Sequence, residues 1–406
     1  MAGFAPYKVP VGPIHPALKE PVHIELTVSG EEVIGADFTP GCTHRGIEWM
    51  GLQRNPVQIV HLTDRICGIC GVTHSLCFAR AVEQIAEINA PERADYVRTI
   101  IAEFERIQSH LLWAGVAAHE LGFDSLFYLA WRVREDALDC IELITGNRVN
   151  YDIIQIGGVR RDITDDMIPK IRKCLDTYKD LFGKLQKLFL EDAVIKARCK
   201  GCGVLTRETA AAYSTVGPTA RASGLPADVR ADYPYCAYGD LKISPVLPQV
   251  YGKEADGDTY DRIVTRIFEI AQSIEIVETC LENMPSGPVL YEEKVAKILN
   301  LCKKASGEAV GRHEAPRGEA LHFVALDNQE SPIAWKVKAS SYSNLHVWPV
   351  ILKGIQLADV PIVVASIDPC LSCTDRVAVV NDGKTSIYTK EELSKMSYLK
   401  TRRMLE

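Results

Sequence analysis

A chain of 406 residues, 47% of them hydrophobic, can bury a large core without covalent staples. Its net charge of −7 leaves no concentrated basic face for nucleic-acid phosphates, and the short run Lys400-Thr-Arg402-Arg403 does not alter that balance. Thirteen cysteines, an odd number, and the absence of a charged-then-apolar leader at Met1-Ala-Gly-Phe fit reduced thiols in the cytoplasm rather than a secreted disulfide framework.

In chain order, the alternation from Val22 to Phe38 turns back at Ser29-Gly30 and predicts an N-terminal hairpin. Helical periodicity follows over Ser75 to Ile88, from Pro91 to Leu121, and from Asp124 to Thr145, where Gly146-Asn147 stops it. Met167 to Glu191 and Asp258 to Asn283 repeat the amphipathic pattern, so a bundle of long helices is expected. Between them, 200–248 is rich in helix breakers and reads as an ordered excursion over one side of the bundle. Leu321 to Leu326 and Ile333 to Val337 predict a second hairpin. The apolar stretch from Val350 to Ser366 is interrupted by Lys353, Asp359 and Pro361 and falls short of the roughly 20 apolar residues of a membrane span. Any membrane contact is therefore expected through another subunit. With no internal repeat and no linker-like stretch, the prediction is a single α+β domain over 1–406, dominated by a large helix bundle with N-terminal and C-terminal β-hairpins.

Two cysteine pairs stand out: Arg65-Ile-Cys67-Gly-Ile-Cys70-Gly-Val-Thr-His74 and Asp368-Pro-Cys370-Leu-Ser-Cys373-Thr-Asp-Arg376. Two residues between cysteines let both thiolates face one point, and two such pairs supply four soft ligands for zinc, an Fe–S cluster or another thiophilic metal. Structural zinc modules usually close a short loop, whereas these pairs lie at opposite ends of the chain, so the whole fold must assemble the site. A third pair, Cys199-Lys-Gly-Cys202, reads as buried or free thiols, and Cys77, Cys140, Cys280 and Cys302 as core.

With both pairs in view, the chain resembles the large, catalytic subunit of [NiFe] hydrogenases. The matching features, in family order, are Arg65-x-Cys67-Gly-x-Cys70-x-x-x-His74, Glu314-Ala-Pro316-Arg317-Gly318 and Asp368-Pro-Cys370-x-x-Cys373-x-x-Arg376. Gly12-Pro-Ile-His15-Pro and the arginine closing the last motif are similar to the membrane-bound, energy-converting branch, which is related to the quinone-site subunit of respiratory complex I.

The resemblance implies nickel held by Cys67, Cys70, Cys370 and Cys373. Cys67 and Cys370 would be terminal ligands, and Cys70 and Cys373 would bridge to an iron carrying carbon monoxide and two cyanides. It implies heterolytic cleavage of H2, the reverse reduction of protons, and electron exit through the Fe–S clusters of a small partner subunit. Integral membrane subunits of a complex-I-like assembly and ferredoxin as electron carrier follow, with the chain peripheral on the cytoplasmic face of the membrane. Pro316-Arg317 would lie over the iron, Arg317 meeting a cyanide, and His74 would bond a bridging sulfur. Ser366, which by itself reads as a residue closing a strand, matches the position whose hydroxyl meets the other cyanide. Glu20, in Leu18-Lys19-Glu20-Pro21, would be the first proton acceptor if burial raises its pKa, although Lys19 departs from the branch pattern. Glu48 matches a magnesium-binding position of branches whose last motif residue is histidine. Here Arg376 can replace that ion, so magnesium is not expected, and His15 is expected to order the N-terminal loop. The resemblance also implies a tail, 377–406, cut off after Arg376 during maturation, and the tail's pattern predicts a small hairpin and a helix. The alternatives are a complex-I-like or sulfur-reducing subunit of the same fold and a four-cysteine zinc scaffold.

Overall fold

The computed structural model describes residues 5–252, 254–374, 379–381, 384–386 and 390–405. The N-terminal alternation becomes strand β2 (His23–Ser29), which sends Ile24, Leu26 and Val28 inward with no exposed surface. It pairs antiparallel on one side with β3 (Glu32–Thr39), as the turn at Ser29-Gly30 predicted, and on the other with β1 (Tyr7–Val11). Strand β1 was not legible because Pro10 interrupts it, and such a residue is tolerated there only because β1 is an edge strand.

Five long helices follow: α1 (Gly71–Ala86), α2 (Glu92–Glu120), α3 (Asp124–Thr145), α4 (Ile168–Glu191) and α5 (Thr259–Asn283). All lie within a few residues of the predicted stretches. Helix α2 is the axis of the bundle, packing on α3 and α5. It is buried on every side along most of its length despite its many charges. Those charges are tolerated because they are paired. Glu103, Arg106 and His110 share one face at helical spacing. Glu103 receives Arg106 at 3.2 Å, Arg230 at 3.1 Å, and the hydroxyls of Tyr238 and Ser273 at 2.5 Å each. His110 meets Glu269 of α5 at 2.9 Å, and Arg221 joins Glu269 to Glu314 at 2.8 Å each.

A second antiparallel sheet has the order β4 (Ser306–Ala315), β5 (Gly318–Asp327), β6 (Ala334–Lys338). The predicted hairpin is β5–β6. Strand β4 escaped notice because its two glycines and charged residues break the alternation. One of them is required: a Cβ on Gly311 would sit 1.8 Å from the Cys77 carbonyl oxygen, so α1 can lie directly on the strand only at a glycine. Pro316 and Arg317 form the two-residue turn between β4 and β5, where Ala315 pairs with Gly318. Gly318 has φ +116° and its backbone passes against that of Gly217.

Near the C-terminus, α6 (Val360–Ser366) ends where a strand had been read. Asp368 then takes the left-handed conformation, φ +55°, and redirects the chain into the second cysteine loop. The predicted hairpin and helix of the tail are present as Val379–Asn381 paired with Lys384–Ser386, followed by Lys390–Leu405. Arg376 and the Asp382-Gly383 turn lie outside the described residues.

The buried ion cluster makes acid stability predictable. Burial alone would raise the pKa of Glu103, but the charges of Arg106 and Arg230, with the two hydroxyls, hold it down to about 2. A carboxylate depressed in the fold stabilises above its unfolded value and loses that contribution as pH falls towards the folded value. Glu103 should therefore supply about 3 kcal/mol at neutral pH that disappears on acidification. Glu103→Gln should lower neutral stability and flatten the acid limb of a denaturation-against-pH curve; an unchanged acid limb would refute the assignment.

Candidate metal centre

Both cysteine loops are irregular segments held against regular elements. Cys67 lies in the turn before α1, and its sulfur accepts the amides of Ile69 and Cys70 at 3.3 and 3.4 Å; Cys70 is the residue preceding the helix. Cys370 and Cys373 follow α6. The four sulfurs converge within 4.8 Å of one another. Cys67 is 3.1 Å from both Cys70 and Cys370, Cys370 is 3.0 Å from Cys373, and Cys70 is 4.0 Å from Cys373. All four are buried, at 2–4% exposure.

Crowding sets their protonation. Hydrogen bonds from Cys370, Cys373 and Cys70 hold the Cys67 thiol well below its ordinary pKa. Cys373 moves the other way, because hydrogen bonding within the sulfur cluster holds its own proton and burial opposes a further charge. Alone, the cluster favours one thiolate. Four thiolates together require a soft cation among them, and this donor set fits a thiophilic metal.

Five remote residues secure the loop that carries Cys370 and Cys373. Ser341 Oγ accepts the Cys370 amide at 2.9 Å, and Glu20 accepts the amides of Leu371 and Ser372 together with the Ser372 hydroxyl. Thr43 Oγ1 donates to the Leu371 carbonyl at 2.8 Å. Arg45 donates to the carbonyls of Ser372 at 3.1 Å, Ile66 at 2.7 Å and Arg65 at 3.2 Å, tying the two cysteine loops together. Arg317 donates to the Asp368 carbonyl at 2.8 Å, pairs with its carboxylate at 2.9 Å, and reaches Ser109 Oγ at 3.2 Å and Cys70 Sγ at 3.8 Å. Buried Pro316 precedes Arg317 in the same turn.

A cavity of about 310 Å³ opens beside the sulfurs, lined by Glu20, Cys67, Arg317, Asp368 and Cys370 together with Leu112, Trp113, Val116 and Trp348. Burial raises the pKa of Glu20, and the nearby Cys67 thiolate raises it further, against the pull of the Ser372 and Leu371 amides. Lys19 turns away to pair with Glu120 at 3.2 Å. His74 Nε2 lies 3.3 Å from Cys373 Sγ, and burial lowers its pKa to about 4, so the imidazole is neutral.

Of the other sequence candidates, Ser366 does not join this cavity. Its hydroxyl donates to the Val363 carbonyl at 2.7 Å and accepts Arg262 Nε at 2.9 Å, because it closes a helix whose last turn takes the proton. Glu48 accepts the Val337 amide at 2.9 Å and Lys336 Nζ at 2.8 Å, anchoring β6. His15 Nδ1 accepts the Ala17 amide at 3.2 Å within the N-terminal loop. Cys199 is buried and Cys202 half-buried, and neither belongs to a metal-competent group among the described residues. Sequence reasoning missed Arg45, Ser341, Ser109 and Glu105. Glu105 caps α1 by accepting the amides of Val72 at 2.7 Å and Thr73 at 3.0 Å. A charged residue four positions before a serine, on the helix that must face the cysteines, was the only available signal for Glu105 and Ser109.

Known proteins resemble this chain over most of its length. Residues 45–114 match the family described as nickel-dependent hydrogenase, and residues 120–376 match respiratory-chain NADH dehydrogenase, 49 Kd subunit. The chain is 42% identical over 398 residues to the membrane-bound hydrogenase subunit alpha of Pyrococcus furiosus, covering 97% of this chain and 93% of that one. It is 36% identical over 395 residues to formate hydrogenlyase subunit 5 of Escherichia coli, covering 96% and 67%. A solved structure of the membrane-bound sulfane sulfur reductase, an archaeal respiratory membrane complex, contains a chain that matches with a TM-score of 0.85 at 30% identity, covering 91% of this chain and 98% of that chain.

Glu20 should be measurable as a clamp. A hydrogen bond to a charged acceptor contributes about 1.5–3 kcal/mol. Glu20→Ala should therefore speed amide exchange at Leu371 and Ser372 by about tenfold or more, leaving α5 protected. Unchanged exchange at those two amides would show that the loop is held without Glu20.

Proposed function

The chain belongs to the [NiFe] hydrogenase large-subunit family, in the membrane-bound branch related to the 49 kDa subunit of respiratory NADH dehydrogenase, and we propose that it is a catalytic hydrogenase subunit. The observation that carries this reading is the convergence of four buried cysteine sulfurs within 4.8 Å, beside a cavity that also holds Glu20 and Arg317. Cys67, Cys70, Cys370 and Cys373 would hold a nickel–iron centre carrying carbon monoxide and cyanide. Bound there, this centre supplies the Lewis acidity and redox capacity to polarise H2 and to pass on its electrons.

The residues of the chain supply the rest. Leu112, Trp113 and Val116 give the cavity an apolar wall, which lowers the local dielectric and strengthens the electrostatics beside it. The buried Arg317 guanidinium, fixed by Asp368, presents positive charge and N–H donors to anionic groups on that side. Glu20 takes the proton at its carboxylate: burial and the nearby Cys67 charge raise its pKa and favour the protonated form, and its backbone bonds fix its position. His74 bonds the Cys373 sulfur and moderates its charge.

Electrons would leave to a small Fe–S subunit, with ferredoxin as carrier, and integral membrane subunits would anchor the assembly on the cytoplasmic face. Two of the similar proteins carry "membrane-bound" in their names, and no helix among the described residues is long and apolar enough to cross a membrane. Maturation would cut between Arg376 and Val377. The described side chains of the tail helix, Glu392 and 394–404, are all exposed, so removing them costs the core nothing. Likeness to the sulfane sulfur reductase chain supports a second reading, in which the cavity takes a sulfur substrate.

The test uses the intact assembly purified with its partners. Cys67→Ser and Cys370→Ser should each abolish nickel loading and deuterium–proton exchange, because an alcohol replaces a thiolate poorly on nickel. Turnover in either variant would sink the proposal. Glu20→Gln should retain nickel and lose about a hundredfold in exchange rate, within the range of a lost proton acceptor; unchanged exchange would place the proton route elsewhere. Sulfane reduction by a wild-type assembly that shows no exchange would establish the second reading.

A further inference from the structure

Resting on the reading of Cys373 as a metal-bound sulfur, the geometry points to Trp335 and His322 as positioning residues that fix the tautomer of His74 and keep its Nε2–H donating to Cys373. The three side chains form one chain of contacts that ends at the sulfur. Trp335 Nε1 lies 3.3 Å from His322 Nδ1, His322 Nε2 lies 3.1 Å from His74 Nδ1, and His74 Nε2 lies 3.3 Å from Cys373 Sγ.

The direction follows from the indole, which carries a donor and no acceptor. Its N–H must donate, so His322 Nδ1 accepts and bears no proton. Neutral His322 then carries its proton on Nε2 and donates it to His74 Nδ1. Neutral His74 in turn carries its proton on Nε2, facing the sulfur. A positive charge on either ring would set two N–H groups against each other, at Trp335 or between the histidines, and burial depresses both pKa values in agreement.

A pair of histidines beside a metal thiolate resembles a proton wire, but this one is closed. Trp335 has no exposed surface and cannot accept a proton from His322. The chain is therefore a lock on direction. The fold holds the lock rigid. His322 and Trp335 face inward as diagonal neighbours on β5 and β6, with Phe78 packed edge-on to the indole at 5.6 Å. Gly51 presses on the same ring, since a Cβ there would lie 2.2 Å from Cε3, so the indole cannot turn over.

The test reads tautomers directly, by two-bond nitrogen–proton correlation in the assembly labelled with ¹⁵N-histidine, the signals being assigned by loss in His74 and His322 variants. Wild type should show both residues protonated on Nε2 only. Trp335→Phe keeps a ring and removes the donor, and should give His322 a mixture of tautomers and weaken the His74 Nε2–H signal. His322→Gln should preserve the His74 tautomer, because its carboxamide can accept from the indole and donate to His74, whereas His322→Leu should not. A proton on Nδ1 of His74 in wild type would overturn the inference, as would Trp335→Phe leaving both tautomers unchanged. Nickel content of the same samples is measured separately. The expected tautomers in a protein that never takes nickel would uphold this inference and defeat the hydrogenase reading.

Discussion

Four thiols packed within one metal's reach and buried in protein repel each other as soon as more than one is ionised. The rest of the molecule is built around that constraint. Cys67 ionises first, aided by its three neighbours and two backbone amides, and each further charge is opposed by burial. A soft cation resolves the conflict, but only if two loops from opposite ends of the chain arrive together. Glu20, Thr43, Arg45, Arg317 and Ser341 bring them there chiefly by bonding the loop backbone. The sulfurs remain available to a metal.

These clamps are accurate only on a rigid frame. The frame is the α2–α5 pair and its buried ions, where Glu103, Glu269 and Glu314 are shared among Arg106, Arg221 and Arg230. Such networks add little net stability relative to apolar packing, but losing one partner strands the others, which favours a single arrangement. Ser109, on the same helix as Glu103 and His110, carries that rigidity to Arg317 and so to the edge of the sulfur cluster. The β4–β5 turn reaches the site through Arg317, and β5 and β6 reach it through His322 and Trp335. Helix bundle and sheet thus both reach the cysteines.

The bundle was legible because five stretches kept helical periodicity over several turns, and periodicity survives whatever the partners are. The short edge strand β1 and the glycine-bearing β4 were not, since their strand character depends on neighbours that no local pattern records. The four cysteines could be read from spacing and Arg317 from its motif. Arg45 and Ser341 could not, because each acts on a backbone group hundreds of positions away or in another element, and an arginine or serine in a loop looks the same without that partner. Ser366 shows a position whose contacts only the fold reveals. Its place before Asp368-Pro-Cys370 suggests a ligand-facing hydroxyl; in the fold this helix-ending serine donates to its own last turn and accepts Arg262 Nε.

On the proposed function, the converged sulfurs hold nickel and iron with diatomic ligands. The most direct measurement is infrared spectroscopy combined with elemental analysis of the assembly purified from its own cells. Nickel should be present in proportion to this chain, with absorption bands in the carbon monoxide and cyanide stretching region, and nickel and bands should be lost together in the Cys373→Ser variant while the iron of the Fe–S partner remains. Zinc in the site, with no such bands, would contradict it.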